Sequence, residues 1–179
     1  MKLLYLDVSH VLHPSVSTYQ LVHGRSPWAD GHSEYENLPV LEMLLDPYSD
    51  VRIILSDWTP VVHGIDSVKE HLGRLAARVV GTLFDDVITE VRRTIPLRSG
   101  DEREVGYSVE DFRRMSKAQA VSAHVAWSKP HAWVAITSED CDWAPEVREG
   151  HVVITDMLDA LGTVAAQLAL ATRLEVNYG

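Results

Sequence analysis

Five short apolar runs recur along the chain with little polar alternation: residues 3–8, 51–56 (VRIILS), 78–82 (RVVGT), 132–137 (AWVAIT) and 151–155 (HVVIT). Runs of that length and kind, bounded by polar segments, read as strands buried on both faces. Between them the pattern changes to a helical period. Asn37 precedes LPVLEMLL, and Ser67 with Glu70, Ser108 with Asp111 and Ser116 with Gln119 have the spacing of capping boxes. Ile65, Val68, Leu72 and Leu75 share one helical face, and so do Leu158, Leu161, Ala165 and Leu168 nearer the C-terminus. Strands alternating with helices predict right-handed crossovers and an α/β, Rossmann-like, five-stranded parallel sheet flanked by helices, with the first strand at its centre. The chain contains no internal repeat and no low-complexity segment.

Composition narrows the picture. At 179 residues the expectation is one unit spanning 1–179, large enough to bury a continuous core. No apolar run reaches the ~18 residues that a membrane span requires. Lys2 leads directly into a short strand rather than into a secretory signal, and the single cysteine, Cys141, fits a reducing compartment; both point to the cytoplasm. Cys141 lies among acids that raise a thiol pKa, which makes it a poor nucleophile. A formal charge of -10 argues against bulk nucleic-acid binding, leaving only a local basic patch around Arg92, Arg93, Arg98, Arg113 and Arg114.

The candidate chemistry starts at LLYLDVSHVLHP, residues 3–14, which delivers Asp7 to the end of the first strand. Ligands of parallel α/β sheets bind outside the carboxyl ends of the strands, so an acid there faces a crevice. The stretch resembles the first motif of the haloacid dehalogenase (HAD) superfamily, whose leading Asp attacks a phosphoryl group. It is most similar to a small capless branch, written roughly as a hydrophobic strand followed by D-V-D-G-V-L-H-P, that includes the HAD domains of RNA-repair proteins. Ser9 stands where that branch has a second Asp, and His10 where it has Gly. The polar segment at about 13–37 then reads as a minimal flap in place of a full cap domain. Within it Trp28, His32 and Tyr35 either touch substrate or pin the loop to the body.

The resemblance implies a role for each strand end. Asp7 would be the nucleophile and, with the backbone carbonyl of Ser9, would hold Mg²⁺. Ser56 in RIILSDWTP would bind a phosphate oxygen; around it, Asp57 and Thr59 replace a serine and an arginine of the branch's S-S-S-W-R pattern, while Trp58 is kept. Lys117, following Ser116, would neutralise the phosphoryl charge, with Lys129 its competitor. The fourth strand should end in two acids but ends in Thr137 and Ser138; the acids come late, as Glu139, Asp140 and Asp142, and either Glu139 or Asp140 would bind the metal, directly or through water, or the run is a solvated acidic loop capping the next turn. Ser9 cannot do the acid–base work of the missing Asp, a contribution of roughly 10²- to 10⁴-fold. His10 is a possible substitute, whereas His10 with His13 falls short of a metal site. Together these imply a Mg²⁺-dependent phosphatase or phosphotransferase working through an aspartyl phosphate, slow or atypical, with weak or absent metal binding. Ser9, His10, Ser56, Asp57 and Lys117 would contact the substrate, a phosphorylated small molecule or the phosphorylated end of a larger one. The alternative is a catalytically inactive HAD scaffold that binds a phospholigand or a protein partner.

Overall fold

The computed structural model describes residues 1–14, 32–84 and 115–179. Its strands are β1 (Lys2–Leu6), β2 (Val51–Leu55), β3 (Val79–Thr82), β4 (Ala132–Thr137) and β5 (Val152–Ile154). They form a parallel sheet in the order β3-β2-β1-β4-β5. β1 is central, as the apolar runs predict. The order reverses between β1 and β4, and at such a switch point the crossovers diverge and leave a crevice beyond the strand ends.

Both faces of the sheet are covered, which is why its strands lack alternation. On one face Leu4, Leu6, Ile53, Leu55, Val134 and Ile136 pack with α1 (Leu38–Leu45), α3 (Ile65–His71) and α6 (Val164–Tyr178). On the other, Leu3, Tyr5, Ile54 and Ala135 pack with Ala118 and Val121 of α4 (Lys117–Ser128). A short α2 (Thr59–His63) follows β2, and α5 (Pro145–His151) leads into β5. The capping box at Ser116 is fully formed: the Ser116 side chain accepts from the Gln119 amide, and the Gln119 side chain accepts from the Ser116 amide.

Three details depart from the sequence reading. Ser67 is inside α3 instead of capping it, because the chain enters that helix from Gly64, whose φ of 85° places it in the left-handed region. Asn37 precedes α1 without a side-chain cap; its amide instead donates to the Val11 carbonyl across the fold (3.5 Å). The C-terminal stripe is out of phase. Leu158 and Leu168 are exposed, at 72% and 63%, whereas Ala166, Leu170, Leu174 and Tyr178 form the buried face. Helix begins only at Val164, after a turn in which Ala160 adopts a φ of 51°, so Leu158 and Leu161 do not belong to the helical phase. The pair Ser108 and Asp111, Trp28, and the five arginines lie outside the described residues. No helix among the described residues is long and apolar enough to cross a membrane.

Candidate active site

Asp7 follows β1 at the carboxyl edge and is 2% exposed. A carboxylate so deeply buried needs donors and a countercharge, and three other strand-end elements supply them. From the end of β2 the Ser56 hydroxyl donates to Asp7 Oδ1 (2.6 Å). From the first turn of α4 the Lys117 ammonium donates to the same oxygen (2.7 Å) and to the Ser56 carbonyl. From the end of β4 the Thr137 hydroxyl donates to Oδ2 (2.6 Å). The Asp7–Thr137 bond thus bridges β1 and β4, where the strand order reverses.

Lys117 is buried at 7% exposure. A cation in the first turn of a helix opposes the macrodipole, so this position is occupied at a local cost that the Asp7 contact offsets. Burial disfavours the ammonium, but the adjoining Asp7 carboxylate outweighs it and holds the Lys117 pKa above its ordinary value. Glu139 adds a weaker contact at 3.7 Å from a half-exposed carboxylate. Lys129 closes the other end of α4 in the left-handed conformation, about 18 Å along the helix from Lys117. Lys117 is therefore the lysine at the site.

In front of Asp7 lies a cleft of about 320 Å³ lined by Asp7, Ser9, His10, Asp57, Trp58, Thr59, Val62, His63, Ser138 and Glu139. Trp58 stacks on Phe84 with ring centroids 4.6 Å apart, forming part of the wall. His10 faces Ser138, Nδ1 to Oγ 3.2 Å, and has a φ of 64°. That backbone region costs an L-residue roughly 1–2 kcal/mol and is free to glycine, which explains why the resembling motif has Gly there.

Asp57 is buried beside Asp7. Its Oδ2 accepts from the amides of Val8 (3.0 Å) and Ser9 (2.8 Å) and from the Thr59 hydroxyl (2.7 Å), while Oδ1 accepts from the Thr59 amide (3.3 Å). Burial, then the charge of Asp7, push its pKa up to about 6, against the pull of the Ser9 amide, the Thr59 hydroxyl and Lys117. Ser9 Oγ shares a 3.1 Å hydrogen bond with Thr59 Oγ1 and has no acidic group to offer a leaving oxygen.

The family model for the HAD domain in Swiss Army Knife RNA repair proteins matches residues 3–164. The chain belongs to this family. No curated protein and no solved structure matches it. At the level of the superfamily this HAD domain is a HAD-like hydrolase of the phosphatase type.

The Mg²⁺ implied by the resemblance meets an incomplete set of donors among the described residues of this HAD domain. Among the described residues no group of three His, Cys, Asp or Glu side chains is placed to hold a metal. The acids expected at the end of β4 are hydroxyls, and the Thr137 hydroxyl is bound to Asp7 Oδ2, the oxygen opposite Lys117. Asp140 points away: it forms a double hydrogen bond with the Arg148 guanidinium on the exposed surface (2.5 and 2.6 Å) and does not line the cleft. Glu139, Ser9 and Asp7 do share it.

Other candidates fall away from the cleft. His13 is buried against Tyr35, whose amide donates to its Nδ1 (3.4 Å), and Tyr35 stacks in turn on His71. His32 pairs with Glu36 (2.6 Å). Of these contacts, the Tyr35–His71 stack ties the described end of the segment to α3, while the His32–Glu36 pair is local. Cys141 is exposed and apart from the cleft lining. Two contacts escaped the sequence reading: the Thr137 donor and the Asp57 acceptor. A hydroxyl residue at the last position of a buried strand was the available signal for Thr137.

Proposed function

We propose that the protein is a slow phosphatase or phosphotransferase in which Asp7 forms an aspartyl phosphate. The observation that carries this reading is the Asp7 carboxylate, buried at a sheet edge, bound by Lys117, Ser56 and Thr137, and opening onto the cleft. An Asp7 oxygen attacks phosphorus while the bond from phosphorus to the leaving oxygen breaks. Lys117 offsets the charge that accumulates on the attacking carboxylate and the transferring oxygens, and Ser56 and Thr137 hold the carboxylate in one orientation. The leaving oxygen takes its proton from solvent, because Ser9 has none to give at neutral pH. Hydrolysis of the acyl phosphate by water then restores Asp7 without an assigned base, and this step limits turnover. No step is routed through a metal.

The cleft suits a phosphomonoester carried by a small molecule or by the end of a larger one; the family's RNA-repair context makes an RNA end one such substrate. Among the described residues that line the cleft none is Lys or Arg, so those residues offer no grip on many backbone phosphates. Rapid quench after mixing with an aryl phosphate, followed by intact-mass measurement, tests the reading. An added phosphoryl group on the natural chain, missing from Asp7→Asn, supports it. If neither chain is labelled or turns over, the inactive phospholigand-binding scaffold replaces it.

A further inference from the structure

Asp57 makes contacts that its own turn does not require. Its bonds to Thr59 close a local turn at the start of α2, a common role for Asp. Its bonds to the amides of Val8 and Ser9 instead span 49 and 48 residues of sequence. Those two amides directly follow Asp7 and converge on one oxygen, just before His10 turns into the left-handed region. Successive backbone N–H groups in such a turn form an anion-binding concavity. Here the concavity adjoins the nucleophile position, and Asp7, Ser9 and Asp57 line one cleft.

We propose that Asp57 is a specificity-determining residue whose carboxylate occupies the paired Val8 and Ser9 donors as an internal stand-in for a phosphoryl oxygen of the substrate. The proposal rests on the phosphoryl-transfer reading of the same cleft. A dianionic phosphate entering beside Asp7 meets donors that are already taken and a second carboxylate that repels it. Binding therefore requires Asp57 to be displaced from the two amides, and the site holds free phosphate and simple monoesters weakly. A substrate with contacts beyond its phosphate supplies the energy for displacement; one without them does not. Selectivity for the rest of the substrate follows from the low affinity for its phosphate.

Titration of the full chain with inorganic phosphate at constant ionic strength, read by amide shifts in nitrogen-15 NMR spectra, tests this. Asp57→Ser empties the concavity and removes the charge, and it should tighten phosphate binding by about tenfold or more, with the Val8 and Ser9 amides among the most shifted. Asp57→Asn keeps an acceptor of similar shape and preserves the fold while removing the charge, so its affinity should lie between the other two. If both variants retain the dispersed spectrum of the natural chain and bind phosphate no more tightly than it does, Asp57 is only a structural tie and the proposal is overturned. The readout is independent of turnover. Tightening without any labelling of Asp7 would uphold the proposal and remove the catalytic reading, whereas labelling with unchanged phosphate affinity would do the reverse.

Discussion

The ends of β1 and β2 and the end of β4 lie side by side at one edge of the sheet, yet they treat their acids in opposite ways. At β1 and β2, Asp7 and Asp57 are drawn inward and every oxygen is given a donor. At β4 the acids are not drawn in: Asp140 goes to Arg148 on the surface, Glu139 stays half exposed at the cleft with only a 3.7 Å contact to Lys117, and the buried strand-end position is a threonine. The first region is organised as a buried carboxylate with its countercharge. The second contributes a hydrogen-bond donor, the Thr137 hydroxyl, where the resemblance implies a metal-binding acid. In this HAD domain the buried hydrogen bonding is concentrated on Asp7 and Asp57, and the β4 end contributes to it only through Thr137.

The largest effect should come from Lys117→Met, which leaves Asp7 charged and buried without its partner. Denaturant unfolding should show a loss of about 3–5 kcal/mol, the usual consequence of breaking a buried pair. A loss near zero would mean that Asp7 does not depend on Lys117, and the inward half of the comparison would fail. Thr137→Val removes the donor from Asp7 Oδ2 and should cost about 1–3 kcal/mol in the same measurement. Unchanged stability would show that the Thr137 bond is incidental.

The pH dependence separates Asp57 from His13. Asp57, raised to about 6 by burial and by Asp7, keeps its proton in the folded state where the unfolded chain has lost it; its contribution to stability falls as pH rises from about 4 to about 6. His13, lowered to about 4 mainly by burial, is neutral when folded where the unfolded chain binds a proton; its contribution rises from about pH 4 to 6.5. The two slopes oppose each other across nearly the same window. Unfolding free energies of Asp57→Asn over that range should therefore climb with pH more steeply than those of the natural chain. An identical slope would show that Asp57 carries no raised pKa. The smallest effect is expected at Asp140→Asn, which should leave calorimetric titration with Mg²⁺ unaltered, since Asp140 is tied to Arg148 outside the cleft. Tight Mg²⁺ binding that this change abolishes would restore a metal shell to the β4 end.

Much of this architecture was legible along the chain because burial on both faces writes itself as uninterrupted apolar runs, and all five became strands. Asp7, Ser56 and Lys117 are brought together by the resemblance to the HAD motifs, which assigns each to a strand end or a helix start, and the topology places those positions side by side. What stayed hidden depended on side-chain direction. Asp57 and Asp140 are both acids in short loops after strands, and nothing local distinguishes the one that turns in to meet amides nearly 50 residues away from the one that turns out to meet an arginine. The C-terminal stripe failed for another reason: the true face repeats every four residues from Ala166 to Tyr178, and carrying the helix back to Leu158 shifted its phase.

Peptide mapping of the phosphoryl label, with Mg²⁺ present and with a chelator in its place, bears most directly on the central claim that Asp7 is a nucleophile organised by Lys117, Ser56 and Thr137. The account predicts the label on the Asp7 peptide under both conditions and its loss in Lys117→Met. Label on another residue, or label on Asp7 only when Mg²⁺ is supplied, would contradict it.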